Sequence, residues 1–383
     1  MATVLLFITV LLLPTLDKLV DLDHSIADER AAPFPTISLD RSDLARLPGQ
    51  FKAYFKENFG FRSGLITMHG LLKHRLLRMS PSPRVVLGSN DWLYFRDEGV
   101  MDDFRKLYPF KEDELGQWVT ALQARSRFCE ERGIPYLFTV SPSKPTICPD
   151  HLPKLYAPRG GVSRLDQLVD ALRTTSPGFS MVDVRDALIG HPERTNLYFR
   201  TDTHWNRLGA FTAYQEIASA LKVSFPMLQI QGREPLATGP ESGLGGDLAR
   251  IIGLQKYLQE DSPGPVDWTT RRVLQEDGAE PEWQSRDILH VDDHVFVCPE
   301  GEIERGVIFH DSYGMALLHP LAAHFKRAVF VWSNEFLPDV VEKEMPDVVI
   351  QQIVERRLMT WMPDLSELQP LGDRDVEATK ERP

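Results

Sequence analysis

The chain has 383 residues, 42% of them hydrophobic and 26% charged, the balance of a globular protein with room for two or three domains or one large α/β body. A formal net charge of −12 argues against a nucleic-acid partner, which calls for a basic face. The three cysteines, Cys129, Cys148 and Cys298, form no CxxC pair, so a thiolate zinc site is not expected, and three disulfide pairings stay open.

"MATVLLFITVLLLPTLDKL" opens the chain. Residues 2–13 are almost wholly apolar. The run is shorter than the roughly 20 residues of a membrane span and close to the apolar core of an export signal. Basic residues do not precede it, and no small-x-small site follows. Residues 1–16 read as a signal or uncleaved anchor, with a buried core helix as the alternative. Residues 17–50, polar and proline-containing, read as a linker to a body at 51–363. "FKENFGFRSGLITMHGLLKHRLL" has helical apolar spacing broken at Gly60, which predicts two short helices. Residues 85–87, a Gly-Ser-Asn-Asp turn and residues 92–95 predict a β-hairpin.

Beyond the hairpin, helical patterns at 111–132, 162–174, 208–221 and 313–325 alternate with short apolar strands at 134–140, 179–184, 306–311, 327–332 and 347–353. This alternation predicts an α/β fold, a mainly parallel sheet flanked by helices. Ligands of such sheets bind beyond the carboxyl ends of the strands. Residues 223–300 lack clear periodicity and read as an insertion packed beside the sheet. Residues 364–383 read as a flexible tail.

Two stretches carry chemistry. In "YFRTDTHWNRLGA", Asp202 and His204 are two apart, so on extended backbone they point to the same side just before a helix. In "GVIFHDSYG", a buried strand ends at Asp311 and Ser312 follows at a helix entry. A serine hydroxyl becomes a nucleophile when a neutral histidine, oriented by a carboxylate, takes its proton. Asp202, His204 and Ser312 supply that set in the chain order Asp, His, Ser. The backbone N–H of Tyr313 is a natural oxyanion donor. Lys144 and Arg356 are candidate cleft cations for an acidic sugar, with a solvated surface role as the alternative. Trp205 either packs on the imidazole or fills core, and Asn206 reads as a helix cap. The plain alternatives are an N-cap role for Ser312 and a polar helix entry for Asp202. A metal site from Asp202, His204, His310 and Asp311 is a third reading, but no further ligand has metal-like spacing, so no metal or cofactor is expected.

"TDTHWNRLGA" together with "HDSYG" resembles the SGNH-hydrolase-like domain of alginate O-acetyltransferases, the periplasmic proteins of polysaccharide acetylation. "FKENFGFRSGLI", "VVLGSNDWLYF", "VSPSKPTICPDHLP", "GGDLARIIGL" and "PDVVIQQIVERRL" resemble further blocks of that family in the same order, over about residues 50 to 360. The resemblance implies an SGNH-hydrolase-like fold and an Asp202–His204–Ser312 triad, permuted relative to ordinary SGNH hydrolases, which carry the serine first. It implies an enzyme moving acetyl groups onto an exopolysaccharide such as alginate. It also implies a periplasmic site of action, an inner-membrane tether and a membrane-embedded acyltransferase supplying acetyl. An acetylesterase on the same triad and a catalytically silent polysaccharide-binding scaffold remain the alternatives.

Overall fold

The computed structural model of the chain describes residues 41–58, 60–232, 241–262, 271–276, 293–366 and 368, with positions 4, 5, 8, 12, 34 and 35. The expected signal or anchor at 1–16 and the tail at 364–383 lie almost wholly outside these residues. Among the described residues no helix is long and apolar enough to cross a membrane. The chain divides into two compact units, one of residues 1–83 with 249–255, the other of 84–248 with 256–383.

In the smaller unit, residues 41–50, the end of the expected linker, are helical and begin the helix Arg41–Glu57. The two helices expected on either side of Gly60 are present. Phe61, with φ at 55°, turns the chain into the second, Arg62–Leu71, which runs on as a π-helical turn, Leu72–Leu76. Gly70 of that helix lies where any Cβ would sit 2.7 Å from the Ile252 carbonyl oxygen, and the Thr67 hydroxyl donates to the Gly253 carbonyl at 3.2 Å.

The larger unit opens with the hairpin β1 (Val85–Leu87) and β2 (Leu93–Phe95), paired antiparallel as expected. Its main sheet uses β3 (Tyr136–Ser141), β4 (Met181–Val182), β7 (Leu274–Gln275), β8 (His294–Val297), β9 (Ile303–His310), β10 (Phe325–Trp332) and β11 (Val348–Val354). A separate two-stranded ladder joins β5 (Glu241–Gly243) to β6 (Glu260–Ser262). The order across the main sheet is β4-β3-β11-β9-β10-β8-β7. The first five run parallel; β8 pairs antiparallel with β10 at that edge, and β7 antiparallel with β8. Part of the stretch expected as an insertion is therefore sheet. The strand β8, "HVFV", is too short to announce itself between its masking polar neighbours, and only pairing with β10 fixes it.

Every residue of β3 and β11 is buried, as continuous apolar runs require when helices cover both faces. Phe138, Phe309, Val329 and Ile353 share one face with Trp118 and Leu122 of helix Glu112–Glu130 and with Leu165 and Leu168 of helix Arg164–Thr175. Each such fully buried side chain contributes about 1.5–3 kcal/mol. Helix Arg207–Ser224 presents Leu208, Phe211, Tyr214, Ile217 and Leu221 to the interior, the spacing predicted from sequence. Cys129, Cys148 and Cys298 are buried free thiols.

Two glutamines interrupt the apolar run of β11. Gln351 accepts from the Tyr136 hydroxyl at 2.6 Å and from Arg125 at 3.0 Å. Gln352 donates to Ser141 Oγ at 2.9 Å and to Asp311 Oδ1 at 3.1 Å, and accepts from the Asp311 N–H at 3.2 Å. Buried amides of this kind are stable only when satisfied. Of the two, Gln352 ties the carboxyl ends of β3, β9 and β11 together, immediately below the residue that matters next.

Candidate active site

Ser312 follows the carboxyl end of β9, and Asp311 fixes it there. The Asp311 carboxylate accepts from the N–H of Tyr313 at 2.9 Å, from the N–H of Val354 at 2.5 Å and from Gln352. The following turn is a 3-10 helix, Gly314–Leu317, leading into the short α-helix Leu318–Ala322, rather than one continuous helix over 313–325. Asp311, not Ser312, caps this entry. The Ser312 hydroxyl caps no backbone N–H among the described residues; its hydrogen bond is to His204 Nε2 at 2.9 Å.

His204 stands on a closed loop. Tyr198 and Trp205 bridge antiparallel, Phe199 N–H donates to the His204 carbonyl at 3.2 Å, and Asn206 N–H donates to the Leu197 carbonyl at 2.9 Å. Asn206 then caps helix Arg207–Ser224, its Oδ1 accepting from Leu208 N–H at 3.0 Å and Gly209 N–H at 3.1 Å. Asp202 Oδ1 accepts from the His204 N–H at 3.0 Å and meets His204 Nδ1 at 2.6 Å. An ionised carboxylate only accepts, so the ring proton sits on Nδ1 and Nε2 is left bare toward Ser312. Burial pushes Asp202 upward, but the hydrogen bond from the His204 ring and those from the N–H groups of Asp247 and His204 hold it well below the usual carboxylate range. An acid, an imidazole and a half-exposed hydroxyl joined in this order can move a proton off the hydroxyl and return it.

Three side chains hold the loop's backbone. Lys144 donates to the carbonyls of Leu93 at 2.5 Å, Arg200 at 2.8 Å and Asp202 at 3.0 Å. The carboxylate of Glu260 takes the N–H groups of Arg200 and Thr201, and that of Asp247 takes the Thr203 N–H at 2.8 Å and its hydroxyl at 2.7 Å. The Asp247 N–H donates in turn to Asp202 Oδ2 at 2.8 Å. Beside it, Gly246 is pressed on Asp202: any Cβ would lie 2.3 Å from the Asp202 Cβ, so a side chain at 246 must push the acid off His204.

Two expectations are corrected. Lys144 is not a cleft cation. It is buried, with its donors spent on three carbonyls, and burial lowers its ammonium to about 8 against the raising influence of Glu260 and Asp202. The Tyr313 N–H is not an open oxyanion donor, because Asp311 Oδ1 occupies it. The Ser312 N–H, by contrast, has no protein acceptor among the described residues. Tyr313 instead packs its ring between His204, at 4.8 Å, and Trp205, at 5.3 Å, and its hydroxyl donates to the Thr203 carbonyl at 2.6 Å. Trp205 is buried and donates from Nε1 to the Tyr313 carbonyl at 3.1 Å, which joins the two chemical stretches through their backbones. Arg356 pairs with Glu98 at 2.8 Å and lies 5.8 Å from the Tyr313 ring centre.

Sequence reasoning missed Asp247, Glu260 and the support given by Gln352. Their signals were "GGDL" and the paired glutamines, which carry no spacing that points at a site. Asp202, His204 and Asp247 also lie close enough to suggest a metal cluster. Their oxygens and the Nδ1 are already committed to each other, to Thr203 and to backbone N–H groups, which does not fit a cation.

Residues 85–293, more than half of the chain, match the SGNH hydrolase-like domain of acetyltransferase AlgX. The probable alginate O-acetylase AlgJ of Pseudomonas aeruginosa is 23% identical over 227 residues, 57% of this chain and 54% of its own length. The protein of the same name from Azotobacter vinelandii is 23% identical over 257 residues, 66% of this chain and 62% of its own. The chain thus spans about half the length of the curated relatives it matches. Among solved structures, the O-acetyltransferase domain of Pseudomonas putida AlgJ is similar at 17% identity and a TM-score of 0.46, over 76% of this chain and 96% of that one. Bacillus cereus PatB1 is similar at 17% identity and a TM-score of 0.48, over 72% and 96%.

Proposed function

The chain belongs to the family of the SGNH hydrolase-like domain of acetyltransferase AlgX, and we propose that it is an O-acetyltransferase acting through an acetylated Ser312 on hydroxyls of an exopolysaccharide such as alginate. Ser312 Oγ attacks the acetyl carbonyl and its proton passes to His204 Nε2. His204 gives that proton to the leaving group of the donor as the carbon–oxygen or carbon–sulfur bond breaks. A sugar hydroxyl then attacks the acetyl-serine, loses its proton to His204, and Ser312 leaves with a proton returned from the same nitrogen. Asp202 stays ionised throughout and keeps the imidazole oriented. The Ser312 N–H is the proposed oxyanion donor in place of Tyr313.

The observation that supports this reading is the unbroken relay, 2.6 Å from Asp202 to His204 and 2.9 Å from His204 to Ser312, at the carboxyl edge of a parallel sheet. The relatives' names add an alginate-type acceptor. A membrane-embedded acyltransferase is the proposed acetyl source. The apolar residues 2–13 support a periplasmic protein tethered to the inner membrane. A reporter active only after export, fused behind Arg46, should be active; a silent one would remove that placement.

Incubation with a small chromogenic acetyl ester, with and without an acidic or a neutral oligosaccharide, tests the reaction. Acetylated sugar is the expected product. Free acetate alone, unaffected by sugar, would make the protein an esterase, and no turnover would leave a scaffold. The same assay tests Arg356 as the cation for an acidic acceptor: preference for the acidic oligosaccharide should vanish in Arg356→Ala, and a preference that survives removes Arg356 from the site.

A further inference from the structure

Helix Arg62–Leu71 and its continuation Leu72–Leu76 are built inside out. The inward face carries Thr67, Gly70 and His74, while the outward face carries Leu65, Met68, Leu72 and Leu76, exposed by 44%, 62%, 51% and 71%. Their three- and four-residue spacing makes them one stripe. Ile66, Leu77 and Met79 widen it and are also exposed. Single exposed apolar residues are ordinary, but a contiguous set on one helix marks a surface that something covers. From Leu65 to Leu76 the stripe runs about 16 Å at the helical rise.

The charges around it identify the cover. Residues 58–90 contain no aspartate or glutamate, in a chain of net charge −12, yet hold Arg62, Lys73, Arg75, Arg78 and Arg84. A protein groove shaped for such a helix needs no bias of this kind. An anionic lipid surface does, since basic side chains meet the phosphates while the apolar face enters the acyl boundary. The apolar run at 2–13 lies upstream on the same chain; inserted in a bilayer, it would bring this helix within reach of that surface.

We propose that the Leu65–Met68–Leu72–Leu76 face, with Lys73, Arg75 and Arg78 beside it, is a docking surface for an anionic membrane, independent of the enzymatic reading above. The segment lies in the plane of the interface and does not cross it.

Residues 2–13 could bring the chain to lipid unaided, so sedimentation with vesicles says nothing about this face. The test is a full-length Met68→Cys protein carrying an environment-sensitive fluorophore; the three native cysteines are buried and leave position 68 as the accessible thiol among the described residues. With vesicles of phosphatidylglycerol and phosphatidylethanolamine, the emission should shift to the blue and be quenched by lipid spin-labelled near the glycerol. Phosphatidylcholine vesicles should shift it far less. In the Lys73→Glu, Arg78→Glu background the blue shift of protein already bound to the anionic vesicles should fall to the phosphatidylcholine level. An aqueous emission from protein that has bound the anionic vesicles overturns the proposal. So does a blue shift that appears without lipid as the protein concentration rises, or only with vesicles that contain membrane proteins, since either makes a protein the occupant.

Discussion

Ser312→Ala should fold as the parent chain does and turn over no acetyl ester. Removing the nucleophile of a serine triad lowers the rate on the order of a million-fold where it has been measured. No nearby hydroxyl replaces it, because the neighbouring Tyr313 and Thr203 hydroxyls donate to the Thr203 carbonyl and the Asp247 carboxylate. The structural loss should be small. An N-cap serine would cost about 1 kcal/mol on truncation, but Asp311 does the capping here and the Ser312 hydroxyl bonds only to His204 among the described residues. A melting temperature within about 3 °C of the parent is therefore expected. Mass spectrometry after reaction with an acetyl ester should find one acetyl group on the parent peptide holding Ser312 and none on the variant. Turnover by a well-folded Ser312→Ala protein would end the mechanism.

The order of strands and helices, and the three relay residues, could be read from the sequence because each rests on a local signal. Apolar runs such as "YLFTV" and "VVIQQIV" predict buried parallel strands wherever they occur, and Asp-x-His before a helix and Asp-Ser after a strand are local patterns. What could not be read is what depends on partners far apart in the chain. Lys144 looks like a surface cation until three carbonyls from residues 93, 200 and 202 are seen to close around its ammonium. The Tyr313 N–H looks free until Asp311, two residues back, turns its carboxylate onto it. In the same way β8 and β7 are too short to carry a period; the edge of β10 gives β8 its place, and β8 gives β7 its own. Burial decides the chemistry of a polar residue, and burial is set by the whole fold.

Asp202→Asn should lower kcat/KM for an acetyl ester by roughly a thousand-fold, and the reason lies in the three donors on this one carboxylate. Oδ1 takes the backbone N–H and the ring Nδ1–H of His204; Oδ2 takes the N–H of Asp247. An amide has one oxygen and must turn its NH2 toward one side. With the NH2 facing Asp247, a single N–H is left opposed, at a cost of about 1–3 kcal/mol in stability. With the NH2 facing His204, the backbone N–H is opposed and the ring must move its proton to Nε2, where it can no longer accept from Ser312. The first arrangement leaves fewer donors stranded, so it should prevail. His204 then keeps its working tautomer but loses the negative charge that stabilises the imidazolium. That predicts a smaller loss than the roughly 10⁴-fold found where an asparagine also imposes the wrong tautomer. Nitrogen chemical shifts of the His204 ring check the cause: a protonated Nδ1 and a bare Nε2 are expected in the variant. A loss below tenfold would reduce Asp202 to a loop-holding acid. A proton found on Nε2 would mean that the contact to Asp247 is stronger than both bonds to His204.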